Sequence, residues 1–455
     1  MIAPERYFLE TLFAELNDGG IRYAVMRNHE ALPYTAGGSD LDLLVAPEDE
    51  AATREVLLRA VKHAGGVIIG TVATVGFWKV FAIGRSSTGK SNWWGLRIDV
   101  NVGYVFKGSP IFSCKQLQAH LTTHRGIAVL EPGLAAVLGV LKEVLNNNVL
   151  PPRYQREAAI AVRNNWPQLS AALKPLGEKG LAILRELIVS EIDTSRVGAK
   201  AHALRRAFWW HALQRSPKAI FGGWVLGWWG KVRRLFRPSG VIVAVLGVDG
   251  VGKSTVINSI QPVLGEATHG ALAVKHLRPG LLPPLARLKG RQGLRAMPVV
   301  DPHGAEPSGA VGSVFRLAYL LLDYVFGYWL LLRPQIARNP TVIVFDRYCY
   351  DVMLDPRRFR IRLPHWVTEL FVRFAPRPDL LLCLHAPPEV IHARKQELSL
   401  DETKRQVNAL HDFARHTPNA VLVSTEGTIE EVRDRTLTEL INFLHSRSCG
   451  RPIRR

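Results

Sequence analysis

The chain is short of cysteine. The four it has, Cys114, Cys349, Cys383 and Cys449 among 455 residues, are scattered without paired spacing or a histidine at zinc-ligand distance. That excludes a disulfide scaffold and a zinc ribbon, and it fits free thiols in a reducing compartment. Acidic residues are also scarce, with 39 Asp and Glu against 58 Lys and Arg and a net charge of +19. The deficit is local: Thr194–Gly240 holds ten Lys or Arg and Ala267–Val300 holds six, with no acid in either stretch. Charge placed in two blocks is not the pattern of a chain coated for nucleic acid. Internal repeats and low-complexity tracts are missing, which excludes solenoid and disordered classes. Long apolar runs are missing too. The nearest, Leu317–Leu332, falls short of the roughly 20 residues that cross a bilayer and has Asp323 at its centre, so it reads as a core helix. Met1–Leu16 carries Glu5, Glu10 and Glu15 at helical spacing in place of the basic-then-apolar pattern of a secretory signal, and the expectation is a cytoplasmic protein.

The length predicts two or three domains, and 47% hydrophobic residues suffice to fill their cores. Residues 1–125 read as α+β. Helices are expected at 5–17 and Glu48–Ala64, and strands at Tyr23–Met26, Leu41–Val45, Val67–Thr74, Trp78–Ile83 and Leu96–Val102, with a loop at Arg85–Asn92. Residues 126–238 turn helical, with apolar residues at three- and four-residue spacing in Leu134–Leu145, Ala158–Asn165 and Leu181–Ile192. Residues 239–446 alternate strand and helix, as a parallel sheet covered on both faces requires, and 447–455 form a basic tail.

The most specific signal is VIVAVLGVDGVGKSTVI at 241–257. An apolar strand runs into a loop whose Gly247, Gly250 and Gly252 let backbone amides face a polyphosphate. Lys253 then reaches the β/γ-phosphates, Ser254 holds Mg²⁺ and Thr255 continues the phosphate-binding turn, so ATP or GTP is the first ligand to consider. Pro340–Asp346 is a second buried strand ending in an acid. Asp346 there suits Mg²⁺, and Arg347 suits a phosphoryl group or an acceptor. A third strand, Asp379–His385, leads through Pro387 and Pro388 to Arg394, Lys395, Lys404 and Arg405. Arg394 is the better candidate for a lid cation, and Lys404 for a solvated face.

Residues 240–446 resemble the thymidylate kinase family and, more broadly, nucleoside monophosphate kinases. The likeness rests on Gly247–Thr255 with its Asp249, on Asp346-Arg347-Tyr348, and on Val421–Thr428. It implies a P-loop NTPase three-layer α/β fold, with ATP and Mg²⁺ as cofactors, Asp249 facing the acceptor, Arg347 contacting an acceptor phosphate, and Val421–Thr428 flanking adenine. The helix before the Asp-Arg strand departs from the family pattern. At Leu317–Leu332 it is almost wholly apolar, and a base whose polar edge stays unpaired binds poorly, so thymidylate is not the expected acceptor. Asp346–Asp351 followed by Asp355-Pro356-Arg357-Arg358 looks more like thymidylate-kinase-like proteins of bacterial surface-polysaccharide pathways.

In the amino-terminal half, Asp40 and Asp42 share one side of a strand behind the Gly38-Ser39 turn, and Asp99 adds a third carboxylate from a neighbouring strand. Three converging carboxylates call for a cation, and two Mg²⁺ so held activate an attacking oxygen. Residues 1–125 resemble the nucleotidyltransferase superfamily, and either catalysis or a binding module is compatible with that likeness. Residues 205–236 mix eight large aromatics with basic residues, which reads either as a surface for an anionic membrane at the inner face or as an inter-domain core. Single-stranded nucleic acid ranks third.

The leading expectation is an ATP-dependent kinase acting on a small-molecule acceptor, with Lys253 and Arg394 stabilising the transferred group. The rivals are a nucleotide-sensing scaffold at a membrane and a plain thymidylate kinase. A homodimer is compatible with the sequence, which does not determine the oligomeric state.

Overall fold

A computed structural model describes residues 4–85, 93–106, 109–112, 120–190, 194–283 and 308–449. Cys114, most of the Arg85–Asn92 loop, much of the second acid-free stretch and residues 450–455 of the basic tail lie outside the described residues. The chain divides into two compact units, Met1–Val232 and Arg233–Gly450.

The first unit is built on β1 (Tyr23–Val25), β2 (Leu41–Val45), β3 (Gly66–Thr74), β4 (Phe77–Arg85), β5 (Trp93–Val102), β8 (Leu121–His124) and β9 (Ile127–Leu130), with a small ribbon of β6 (Tyr104–Phe106) and β7 (Ser109–Phe112). Its main sheet is mixed, in the order β3-β4-β5-β2-β1-β9-β8. Period-two alternation sorts the side chains of β2 and β5. Leu41, Leu43, Ile98 and Val100 join Phe8, Leu9 and Leu12 of helix Pro4–Asp18 and Leu57 of helix Glu50–His63 in one core. Leu44 faces the other way, into a core shared with Leu134, Leu138 and Leu141 of helix Pro132–Asn147 and with Leu184, Leu204 and Phe208 from helices Gly177–Val189 and Thr194–Arg215.

The helical texture read from residue 126 onward begins later than that. Ile127–Leu130 is a strand, paired parallel to β1 and antiparallel to β8. Arg125 and Gly126, both at positive φ (50° and 80°), make the two-residue turn that joins β8 to β9. Such a turn matches the twist of its flanking strands, and four residues are too few for periodicity to reveal a strand.

The second unit is a five-stranded, all-parallel sheet in the order β11 (Leu272–His276), β12 (Val342–Asp346), β10 (Val241–Leu246), β13 (Leu380–His385), β14 (Ala420–Ser424). β10 is buried at every residue, as its unbroken apolar run requires. β11 lies in the second acid-free stretch, Ala267–Val300. It is a half-exposed edge strand, LAVKH, and its mixed polarity hides it from pattern reading.

The apolar helix runs from Ala310 to Gly327, continues through a π-helical turn at Tyr328–Leu332 and ends at Arg338. Among the described residues this is the one helical run long and apolar enough to cross a membrane by length and composition. Its inner side belongs to the core through Leu317, Tyr324, Leu332 and Ile336. Val311, Phe315, Leu322, Phe326 and Trp329 lie at four- and three-residue spacing and are exposed on another side. The expectation of a core helix therefore holds for one of its faces.

Candidate active site

The phosphate loop leaves β10 at its carboxyl end and enters helix Lys253–Thr268. Two glycines are dictated by close approach. A Cβ on Gly247 would come 2.8 Å from the Leu384 carbonyl oxygen, and one on Gly250, at φ 88°, would come 2.9 Å from Cβ of Lys395. Gly252 caps the helix at φ 101° and has no side chain to occupy the first amides, so these stay open to an anion, with Ser254 and Thr255 exposed in the first turn.

Lys253 is buried and folded back on its own loop. Its Nζ donates to the carbonyls of Gly247 (2.8 Å) and Val248 (3.0 Å) and lies 3.4 Å from Asp249. Burial, with Arg347 nearby, pushes its ammonium down to about 7.

β12 brings Asp346 to the loop, one strand away from β10. Ser254 Oγ donates to Asp346 Oδ2 at 3.2 Å, and His276 Nδ1 is 3.7 Å from the same oxygen. Asp346 Oδ1 is buried with no hydrogen-bond partner. Burial pushes this carboxyl up, but His276, Lys253 and Arg347 outweigh it and hold it below the usual aspartate value. An ionised carboxylate with one free oxygen beside a serine hydroxyl fits a hard cation such as Mg²⁺.

Arg347 sits in left-handed backbone, φ 71°, with its amide donating to the Val245 carbonyl at 3.1 Å. A non-glycine residue held there costs on the order of 1–2 kcal/mol, and the side-chain contacts supply the reason for it. Its guanidinium pairs with Asp249 and, at 3.1 Å, with Asp351. Asp351 is buried, which pushes its carboxyl up against the pull of Arg347, and it also accepts from the Tyr348 amide at 3.0 Å. Arg358 pairs with the other oxygen of Asp249. Asp249 thus lies among Lys253, Arg347 and Arg358, a cationic cradle beside the phosphate loop.

The structure therefore brings together Gly247, Asp249, Gly250, Gly252, Lys253, Ser254, Asp346 and Arg347. Arg394, at the end of helix Pro388–Arg394, donates to Thr425 Oγ1 (3.2 Å) and to the Thr425 carbonyl (2.9 Å), and its guanidinium also reaches the Val251 carbonyl of the phosphate loop at 3.5 Å, so it joins β14's outgoing loop to that loop. Lys404 is on a separate helix, Leu400–His416, and faces Glu389 at 3.7 Å. The site residues that sequence reasoning passed over are Arg358 and Asp351. Both stand in the quoted motif, but only the fold directs them at Asp249 and Arg347.

In the other unit, Asp40, Asp42 and Asp99 do converge, with one oxygen from each within 4.8 Å of the others. The parallel register that pairs Asp42 with Asp99 puts both on one sheet face. Cations already fill the surroundings. Arg27 pairs with Asp42 and lies 3.5 Å from Asp40, Arg97 pairs with Asp40 and lies 3.0 Å from Asp99, Lys79 is 3.4 Å from Asp99, and Lys142 is 3.5 Å from Asp42. Burial pushes Asp40 up, but Arg97 and Arg27 outweigh it and hold it below its usual value. For Asp99 burial wins over Lys79 and Arg97, and its carboxyl is raised.

A parallel sheet with a phosphate loop and a metal-ready aspartate on the adjacent strand defines a nucleotide-phosphate site. About a third of the chain is similar in sequence to thymidylate kinases. It is 29% identical over 162 residues to the thymidylate kinase of Xanthomonas campestris pv. campestris (strain B100), covering 34% of this chain and 61% of that protein. It is 27% identical over 165 residues to the thymidylate kinase of Xanthomonas euvesicatoria pv. vesicatoria (strain 85-10), covering 35% and 62%. The chain thus spans about three fifths of the length of the curated relatives it matches. The crystal structure of thymidylate kinase from Ehrlichia chaffeensis aligns with 45% of this chain and all of that one, at 11% identity and a TM-score of 0.32. No protein-family model matches.

Proposed function

We propose that the chain is an ATP-dependent phosphotransferase that moves the γ-phosphoryl group of ATP to an oxygen of a small phosphorylated or hydroxylated acceptor, a metabolite of surface-glycan synthesis. The observation that carries this reading is the pairing of Ser254 with an Asp346 whose second oxygen is unpartnered, set beside the Asp249–Arg347–Arg358 cradle. Ser254 and Asp346 would hold Mg²⁺, which would supply positive charge against the charge that develops on the transferred group. Lys253 exchanges the Gly247 and Val248 carbonyls for the β/γ-phosphates. Arg347 and Arg358 hold an anionic group of the acceptor, and Asp249 orients its attacking oxygen. As the new P–O bond forms, the bond to ADP breaks, and a hydroxyl acceptor releases its proton. Positioning and charge are what such chemistry asks of the protein.

Two facts favour an acceptor other than thymidylate. The inner face of the apolar helix offers Leu317, Tyr324 and Leu332, and its one acid, Asp323, is occupied by the amides of Gly280 and Leu282. Among the described residues of Leu317–Leu332, no polar side chain on that face is left for a base edge, and Arg316, just before it, donates its Nε to Ser308. A screen of phosphorylated sugars, polyols and nucleotides for ADP release tests the reading. Turnover with a glycan precursor, lost in Lys253→Ala, supports it, and ATP binding without turnover on any acceptor favours the nucleotide-sensing scaffold instead.

For the amino-terminal unit we propose a binding module on a nucleotidyltransferase-like frame. Four cations already face the three carboxylates, so a divalent ion would have to displace them. Mn²⁺ titration of Asp346→Asn, which lacks the kinase-side ligand, is expected to show no tight site. One that disappears in Asp42→Asn would instead favour a metal-dependent transferase.

A further inference from the structure

The aromatic residues of the acid-free stretch lie on two helices and are buried unequally, although Trp210 of the first is itself 65% exposed. In Thr194–Arg215, Phe208 is fully buried and Trp209 packs against the same core. In Pro217–Phe236, Phe221 (69% exposed), Trp224 (61%), Trp228 (62%) and Trp229 (67%) stand out in solvent. With Val225, Leu235 and Phe236, also exposed, they lie along one side of the helix over about four turns, and Leu226 is exposed beyond that side. The opposite side carries Gly223, Gly227 and Gly230, and Lys218, Lys231, Arg233 and Arg234 add positive charge with no acid anywhere on the helix. The last residues of this helix belong to the second unit, within which Arg333 donates to the carbonyls of Leu235 (2.7 Å) and Phe236 (2.6 Å) and lies 5.6 Å from the ring of Trp329.

We infer that helix Pro217–Phe236 is an interfacial anchor that lies in the headgroup layer of an anionic bilayer. Indole rings are amphipathic and settle at headgroup depth, whereas a protein core would have drawn them in as it drew in Phe208. The cations supply attraction that a neutral surface lacks, roughly fivefold in binding for each Lys or Arg near the lipid. Single-stranded nucleic acid also takes aromatic and basic groups, but it uses a groove, and a convex helical stripe presents none. The anchor is independent of the phosphotransfer reading.

Co-sedimentation of the full chain with vesicles of phosphatidylglycerol and phosphatidylcholine tests it. Binding is expected on mixed anionic vesicles, weakening as salt rises and falling by at least roughly tenfold on pure phosphatidylcholine. The variant W224A/W228A/W229A is expected to lose anionic binding by about a hundredfold while its ATP binding stays unchanged. Absence of vesicle binding overturns the proposal. So does unchanged binding of the triple variant, tighter binding to a single-stranded oligonucleotide than to anionic vesicles, or sedimentation showing that the stripe is consumed in self-association.

Discussion

Lys253 is the residue whose chemistry depends most on what enters the site. Without nucleotide its ammonium is buried against two carbonyls and titrates near 7, against an ordinary 10.5. The folded state then binds fewer protons than the unfolded one between about pH 7 and 10.5, so nucleotide-free stability rises with pH across that window. A polyphosphate favours the charged form. ATP binding at pH 8 is therefore expected to take up a proton, visible as a buffer-dependent heat in calorimetry, and affinity is expected to weaken as pH rises. A proton-neutral binding event would count against a lysine that joins the phosphates. Lys253→Ala should lower turnover by about 10²–10³-fold.

The two other site predictions separate donor from acceptor. Asp346→Asn keeps the volume but removes the ionised ligand, and the apparent Mg²⁺ requirement should rise by at least about tenfold. Arg358→Ala leaves Asp249 with Arg347 and Lys253. Its expected signature is a KM for the acceptor raised roughly ten- to a hundredfold with the KM for ATP unchanged. A matching rise in the KM for ATP would place Arg358 on the donor side instead.

At the scale of elements, the helix Ala310–Gly327 holds its neighbour by an ion and not by apolar contact alone. Asp323, fully buried, accepts from Gly280 N at 3.1 Å and Leu282 N at 2.7 Å, with Arg278 at 3.7 Å. The charge in the middle of an apolar helix is thus a latch on the segment after β11. Asp323→Ala strands two amides, and urea unfolding should show a loss of about 2–3 kcal/mol. Asp323→Asn, which keeps an acceptor, should lose less. Equal losses would mean that volume and not hydrogen bonding makes the difference.

At the scale of the whole molecule, each unit has its own sheet and its own buried core. Calorimetric unfolding is expected to show two transitions. Mg²⁺-ATP at a hundred times its Kd should stabilise the unit that contains the phosphate loop by about 2.7 kcal/mol and leave the other in place. A single transition, shifted as a whole, would mean that the two units unfold cooperatively.

Much of this protein is local in origin. The apolar run of β10 requires burial on both faces, Gly247 and Gly250 are the residues that pass Leu384 and Lys395, and Ser254 follows Lys253 by one position, so a nucleotide-phosphate site is legible from residues 241–257 alone. The convergence of Asp40, Asp42 and Asp99 follows from strand alternation plus one register, and it too is legible. What the sequence could not determine is decided by groups far apart along the chain. Arg358 reaches Asp249 across 109 positions, Arg394 links Thr425 to the Val251 carbonyl of the phosphate loop, and four cations gather on the amino-terminal carboxylates. The same limit holds for the aromatics. Periodicity places Phe208 and Trp224 alike on helices, and only packing buries the first and exposes the second. The physical reason is that backbone geometry and burial demand act over a few residues, whereas the pairing of charges and the covering of a face depend on which distant elements the fold brings there.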